Sequence, residues 1–81
     1  MTERKARISY VPRKVRDLKA DLRKAGFAEQ RGRGHGSHKV WAHPLVPDAD
    51  VIISGHDSDD AHHYQEKEVR DALRKVREAT T

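Results

Sequence analysis

Gly34-His35-Gly36-Ser37-His38-Lys39-Val40-Trp41-Ala42-His43-Pro44 opens in a glycine-rich turn, passes through residues suited to a strand, and stops at a proline. Successive side chains of a strand point to opposite faces. A strand over residues 37–43 therefore sets Lys39, Trp41 and His43 on one face and His38, Val40 and Ala42 on the other. Trp41, the one tryptophan of the chain, is the natural core anchor, and its burial turns His38 away from whatever covers the core. An imidazole in an open, basic setting is suited to moving a proton near neutral pH. The adjacent glycines let another molecule's backbone come close.

Upstream, Arg31-Gly32-Arg33-Gly34-His35-Gly36 reads as a glycine-punctuated turn, with a strand over residues 27–31 before it. A helix precedes that strand and opens at Pro12, whose missing N–H costs nothing in a first turn. At 100° per residue, Val11, Val15, Leu18, Leu22 and Ala25 fall within an arc of about 80°. Arg13, Arg16, Lys19, Arg23 and Lys24 spread over the opposite side, and Gly26 supplies the stop. Residues 1–11 read as a flexible basic arm leading into a single domain over 12–81.

Downstream, Pro44-Leu45-Val46-Pro47-Asp48 reads as a connector, because prolines at 44 and 47 exclude a central strand. The β-branched run Val51-Ile52-Ile53 marks a third strand over residues 50–54. A polar loop rich in Asp and His covers residues 55–63. A second helix follows from about Tyr64, with Val69, Ala72, Leu73 and Val76 in an arc of about 100°. Its basic end, Arg74, Lys75 and Arg77, suits the helix dipole. The order helix, three strands, helix, with short connections, predicts an α+β fold. Three antiparallel strands form a meander, both helices cover one face, and the other face is left free to bind.

Composition narrows the function. Only 35% of the 81 residues are hydrophobic, enough for one thin core. The chain has no cysteine, which excludes disulfides and a thiolate metal site. No apolar run approaches the roughly 20 residues of a membrane span. Met1 to Arg7 lacks the apolar centre of a signal peptide. A cytoplasmic protein with no membrane partner is the expectation. The net charge of +4 is unevenly spread: Arg13 to Lys39 holds nine basic and three acidic side chains, whereas Asp48 to Asp71 holds eight acidic and two basic. A basic front half points to a polyanion, with nucleic acid bound through phosphate neutralisation.

Three groups of residues carry a family resemblance. They are the helix end Arg23-Lys24-Ala25-Gly26-Phe27, the run Gly36-Ser37-His38 with Trp41 and His43-Pro44 behind it, and Ser54-Gly55-His56-Asp57 with Tyr64-Gln65-Glu66. From Val15 to Val76 the chain resembles the HicA toxins, small ribonucleases of HicA–HicB toxin–antitoxin pairs. The resemblance implies a fold like the double-stranded-RNA-binding domain and a catalytic role for His38. It also implies an mRNA substrate and a HicB-like antitoxin that covers the RNA-facing surface. Many members carry a basic or proline-containing stretch before the last helix. Asp57, Asp59 and Asp60 make it acidic here, which confines the expected RNA contact to the strand face and glycine turn.

The chemistry agrees. RNA carries its own nucleophile, the 2′-OH, so cleavage needs a base, positioning and charge stabilisation. The imidazole of His38 can remove the proton. Arg31, Arg33 and Lys39 can neutralise the phosphate as its charge redistributes. Gly34 and Gly36 can present backbone N–H groups, and Ser37 can orient His38 or the phosphate. His56 and Tyr64 are candidate assisting groups near the open face. His35 reads as a turn residue exposed to solvent or RNA, and His43, before Pro44, as a structural, hydrogen-bonded residue. His56, Asp57, Asp59, Asp60, His62 and His63 have the composition of metal ligands but no tight ligand spacing, so the loop reads as solvated and no metal or other cofactor is expected. Two rival functions share this fold and charge: a non-catalytic RNA-binding module, and an adaptor that binds protein through its strand edge or open face.

Overall fold

The computed structural model of the chain describes residues 12–80. The arm over 1–11, and with it Val11 of the first helical arc, lies outside the described residues. The elements are α1 (Val15–Lys24), β1 (Ala28–His35), β2 (His38–His43), β3 (Val46–Ile53) and α2 (His63–Ala79). The strands form one antiparallel sheet in the order β1-β2-β3. The α+β order read from the periodicities is the order observed.

One apolar cluster holds the layers together. Val15, Leu18 and Leu22 of α1 meet Trp41 of β2, Val51 and Ile53 of β3, and Val69, Ala72 and Val76 of α2. Trp41 is 1% exposed. Its neighbour on β3 across the ladder is Val51, so the Trp41 face is the helix-covered one. Val40 and Ile52 pair on the opposite face, where Ile52 stays 54% exposed.

Helix α1 starts three residues later than Pro12 because another segment holds the chain extended. Lys14 has ψ 155° and bridges Asp60 in antiparallel fashion. The N–H of Val15 donates to the Asp59 carbonyl (2.9 Å), that of Arg16 to the Asp57 carbonyl (3.1 Å), and that of Ala61 to the Arg13 carbonyl (2.7 Å). The first N–H groups of a helix lack intrahelical partners; here the loop's carbonyl oxygens supply them. The Asp17 carboxylate accepts from the Lys14 N–H (3.0 Å), a further N-terminal cap. The loop over residues 55–63, read above as solvated, is therefore a structural cap for α1.

The other end of α1 closes as the sequence predicts. Gly26, at φ 101°, donates its N–H to Arg23 O, and the Phe27 N–H reaches Leu22 O; these two bonds are the Schellman pattern. His43 seals the same end. Its Nδ1 accepts from the Leu45 N–H (3.1 Å), so Nε2 carries the proton and donates it to the Ala25 carbonyl (3.0 Å). The ring also meets Phe27 edge-on, 5.2 Å between centroids. A Cβ on Gly26 would lie 2.9 Å from His43 Nε2.

Two strands run further than expected. β1 continues through Arg31 to His35, leaving only Gly36 and Ser37 as the turn. The pairs Gln30↔Val40 and His35↔His38 enclose five steps of β1 against two of β2. Residues 31–34 therefore form a bulge, which re-aims side chains without ending a strand. At Gly34 the constraint is steric: a Cβ there would overlap the His38 carbonyl oxygen. β3 begins at Val46 and includes Pro47, so the connector shrinks to Pro44-Leu45. β3 is an edge strand, and the register shifts between its Trp41↔Val51 and His43↔Val46 pairs. Proline is tolerated at an edge or irregularity because no ladder bond is lost.

Gly34→Ala is expected to lower stability by about 2–3 kcal/mol through forced separation of the hairpin strands. Gly36→Asn, whose new Cβ meets open space, should cost under about 1 kcal/mol. His43→Ala removes two hydrogen bonds and a ring contact, for a loss of about 2–3 kcal/mol. Urea unfolding midpoints of the three variants check these values.

Candidate functional site

The site is built around the β1–β2 hairpin. Alternation along β2 and burial of Trp41 put His38 on the open face, exposed at the first position of the strand. Its imidazole forms no hydrogen bond or ion pair with the described side chains, and Ser37 does not bond to it. Val40, Ile52 and Gln30 continue that face across the three strands. The sheet fixes the backbone of His38, while its ring is exposed and open to a ligand.

The arginines of the bulge are exposed and differ in their partners. Arg33 forms an ion pair with Asp50 (3.0 Å), linking the β1 edge to the β3 edge of the sheet. Arg31 has no acidic partner among the described residues. Gly34, read above as a point of ligand approach, instead admits the neighbouring strand's backbone.

Behind the hairpin turn lies a cleft of about 470 Å³, lined by Lys19, Gly36, Ser37, Lys39, Gly55, His56 and Asp57. It brings together Gly36, Ser37, Lys39 and His56 from the sequence reading. His38 and Tyr64 are not among its lining residues. Tyr64 instead stacks on His62, with ring centroids 5.6 Å apart and planes 8° from parallel.

That Lys19 meets Asp57 was not legible in the sequence, since nothing in the chain links residues of a helix to a loop this remote. The two form an ion pair at 2.7 Å. The Lys19 ammonium, through this hydrogen bond and its charge, holds the Asp57 carboxyl below the usual carboxylate range. Gln65 was also missed as a positioning residue. Buried at the start of α2, it donates from Nε2 to Ser54 Oγ (2.7 Å) and so fixes the strand exit from which Gly55 and His56 leave.

Much of the basic charge around α1 is internally compensated. Arg13 pairs with Asp21 (2.6 Å), Lys14 with Asp60 (2.6 Å) and Lys19 with Asp57. The Arg23 guanidinium lies 5.1 Å from the Trp41 ring centroid, a cation–π contact. Lys39 has no such partner among the described residues. The acidic loop thus offsets part of the positive field over α1 and leaves Arg31 and Lys39 of the hairpin available. Among the described residues, no group of three His, Asp or Glu side chains is arranged to hold a metal ion. None of the described helices is long and apolar enough to cross a membrane.

No curated protein matches the chain. The family described as HicA toxin of bacterial toxin-antitoxin matches residues 15–76, which run from the first residue of α1 to the last buried valine of α2. With that match spanning the whole folded core, the chain belongs to the HicA toxin family of bacterial toxin–antitoxin systems.

Proposed function

We propose that this toxin is a metal-independent endoribonuclease that cleaves mRNA, with His38 as general base, and that a HicB-like antitoxin inhibits it by covering the open sheet face. The single observation that carries the reading is the exposed His38 on the side of the sheet opposite both helices, in a chain of this family. The order helix, three strands, helix supports likeness to a double-stranded-RNA-binding domain, which also uses a compact α+β unit to meet RNA.

His38 takes the proton from a 2′-OH. The 2′-oxygen attacks the adjacent phosphorus, the bond to the 5′-oxygen breaks, and the departing oxygen takes a proton from solvent. The products are a 2′,3′-cyclic phosphate and a 5′-hydroxyl. Arg31 stabilises the charge that accumulates on the phosphoryl oxygens, and Lys39, on the other side of β2, meets the RNA away from the scissile phosphate. Arg33, held by Asp50, contributes a positioned charge at the rim. Gly36 and Ser37 present backbone and hydroxyl groups beside the base. A single base without a matched acid gives a slow enzyme, sufficient for a toxin that needs few cuts.

One observation favours a non-catalytic RNA-binding module instead: no described side chain orients the His38 imidazole. Cleavage of a labelled single-stranded mRNA in the presence of EDTA separates the two. His38→Ala should cleave at least about a hundredfold more slowly with an unchanged circular dichroism spectrum. The wild-type product should end in a 2′,3′-cyclic phosphate; a 3′-hydroxyl end would overturn the mechanism. Salt-sensitive binding without cleavage by either protein would establish the binding module, and weak, salt-insensitive binding the protein adaptor.

Charge compensation predicts where RNA is felt. Arg31→Gln should weaken binding and reduce the slope of log affinity against log salt by about 0.7, the value for one phosphate contact on a single strand. Lys14→Gln, which removes a cation already paired with Asp60, should leave the slope unchanged.

A further inference from the structure

The cleft behind the hairpin turn is a built feature with no role in the proton transfer. One wall is the turn itself, Gly36 and Ser37, with Lys39; the other is Gly55-His56-Asp57. The second wall is rigidly held. Gln65 fixes Ser54, the Asp59 carboxylate accepts from the His56 N–H (2.9 Å), and the Asp59 N–H donates to the His56 carbonyl (2.9 Å).

The charges inside do not cancel. Lys19 and Asp57 neutralise each other at 2.7 Å, which leaves Lys39 as the lining cation without an acidic partner among the described residues, in a cleft that His56 also lines. The turn adds exposed backbone and the Ser37 hydroxyl. A volume of about 470 Å³ lies within the range of small-ligand sites, and the cleft's net charge suits an anion. Lys39 follows His38 directly on β2 and points to the other side of the strand. A chain that lays one phosphate at His38 can therefore pass over the turn and lay the next beyond it.

We propose that this cleft is a phosphate subsite for a nucleotide neighbouring the scissile one, with Lys39 and His56 as its positioning residues. The inference rests on the ribonuclease reading for the identity of the scissile bond, but binding alone can test it. The probe is a 2′-O-methyl oligoribonucleotide, which removes the nucleophile, with single neutral methylphosphonate linkages walked along its length. Binding is read by fluorescence anisotropy for the wild type, Lys39→Gln and His56→Gln, and each variant's fold is checked by circular dichroism.

At one linkage position, neutralisation should weaken wild-type binding by about tenfold, as expected for a charged hydrogen bond. At that position the two variants, already weakened on the unmodified chain, should show little further loss. On a cleavable substrate both variants should raise KM more than they lower kcat, in contrast to His38→Ala. Variants that bind every oligonucleotide as the wild type does would overturn the subsite. So would losses that add independently at every linkage. If the wild type binds RNA with this coupling but never cleaves it, the subsite stands and the ribonuclease reading falls.

Discussion

Burial of one indole decides the arrangement of the site. A strand has a side-chain period of two, so the face that receives Trp41 excludes His38 from the core. Trp41 is enclosed by the apolar sides of α1, α2 and β3, and a slip of one residue in β2 would expose it and bury an imidazole. The register that makes the core is the register that presents the histidine. Core packing and the exposure of His38 are therefore coupled through a single strand, and His43 ties that strand to the end of α1 through Nε2, while its Nδ1 accepts from Leu45 in the following turn.

The acidic segment before α2 has a structural part that its composition hides. Its backbone carbonyls cap the first N–H groups of α1, and its carboxylates meet Lys14 and Lys19. Exposed ion pairs add little stability each, and the backbone bonds are the stronger reason for the docking. The electrostatic consequence is larger than the energetic one. Part of the positive charge on the helix side is offset, while Arg31 and Lys39 of the hairpin have no acidic partner among the described residues.

The hairpin shows how glycine spacing can serve a strand instead of a turn. Gly34 lets β1 pass against the His38 carbonyl, and the bulge over residues 31–34 splays two arginines at the sheet edge. One is held across the sheet by Asp50 and the other is not. His38, the hairpin cations and the cleft consequently lie within one short stretch of chain and the loop facing it.

Periodicity by itself determined the two helices, the three strands, the burial of Trp41 and the outward placement of His38, because each depends on side chains only a few residues apart. It also marked Gly26 as a helix stop, set by near neighbours, and His43 as a structural residue, although the Ala25 carbonyl it meets is 18 positions away. Tertiary structure alone decided where α1 begins, how far β1 runs, and how Pro47 enters an edge strand. It likewise decided that Lys19, Lys39 and His56 share a cleft while Tyr64 stacks elsewhere on His62. The capping of α1 by Asp57 and Asp59 joins segments about forty positions apart. Local patterns carry no record of such contacts, which arise only when the core closes and brings backbone donors without partners to carbonyl oxygens that can accept from them.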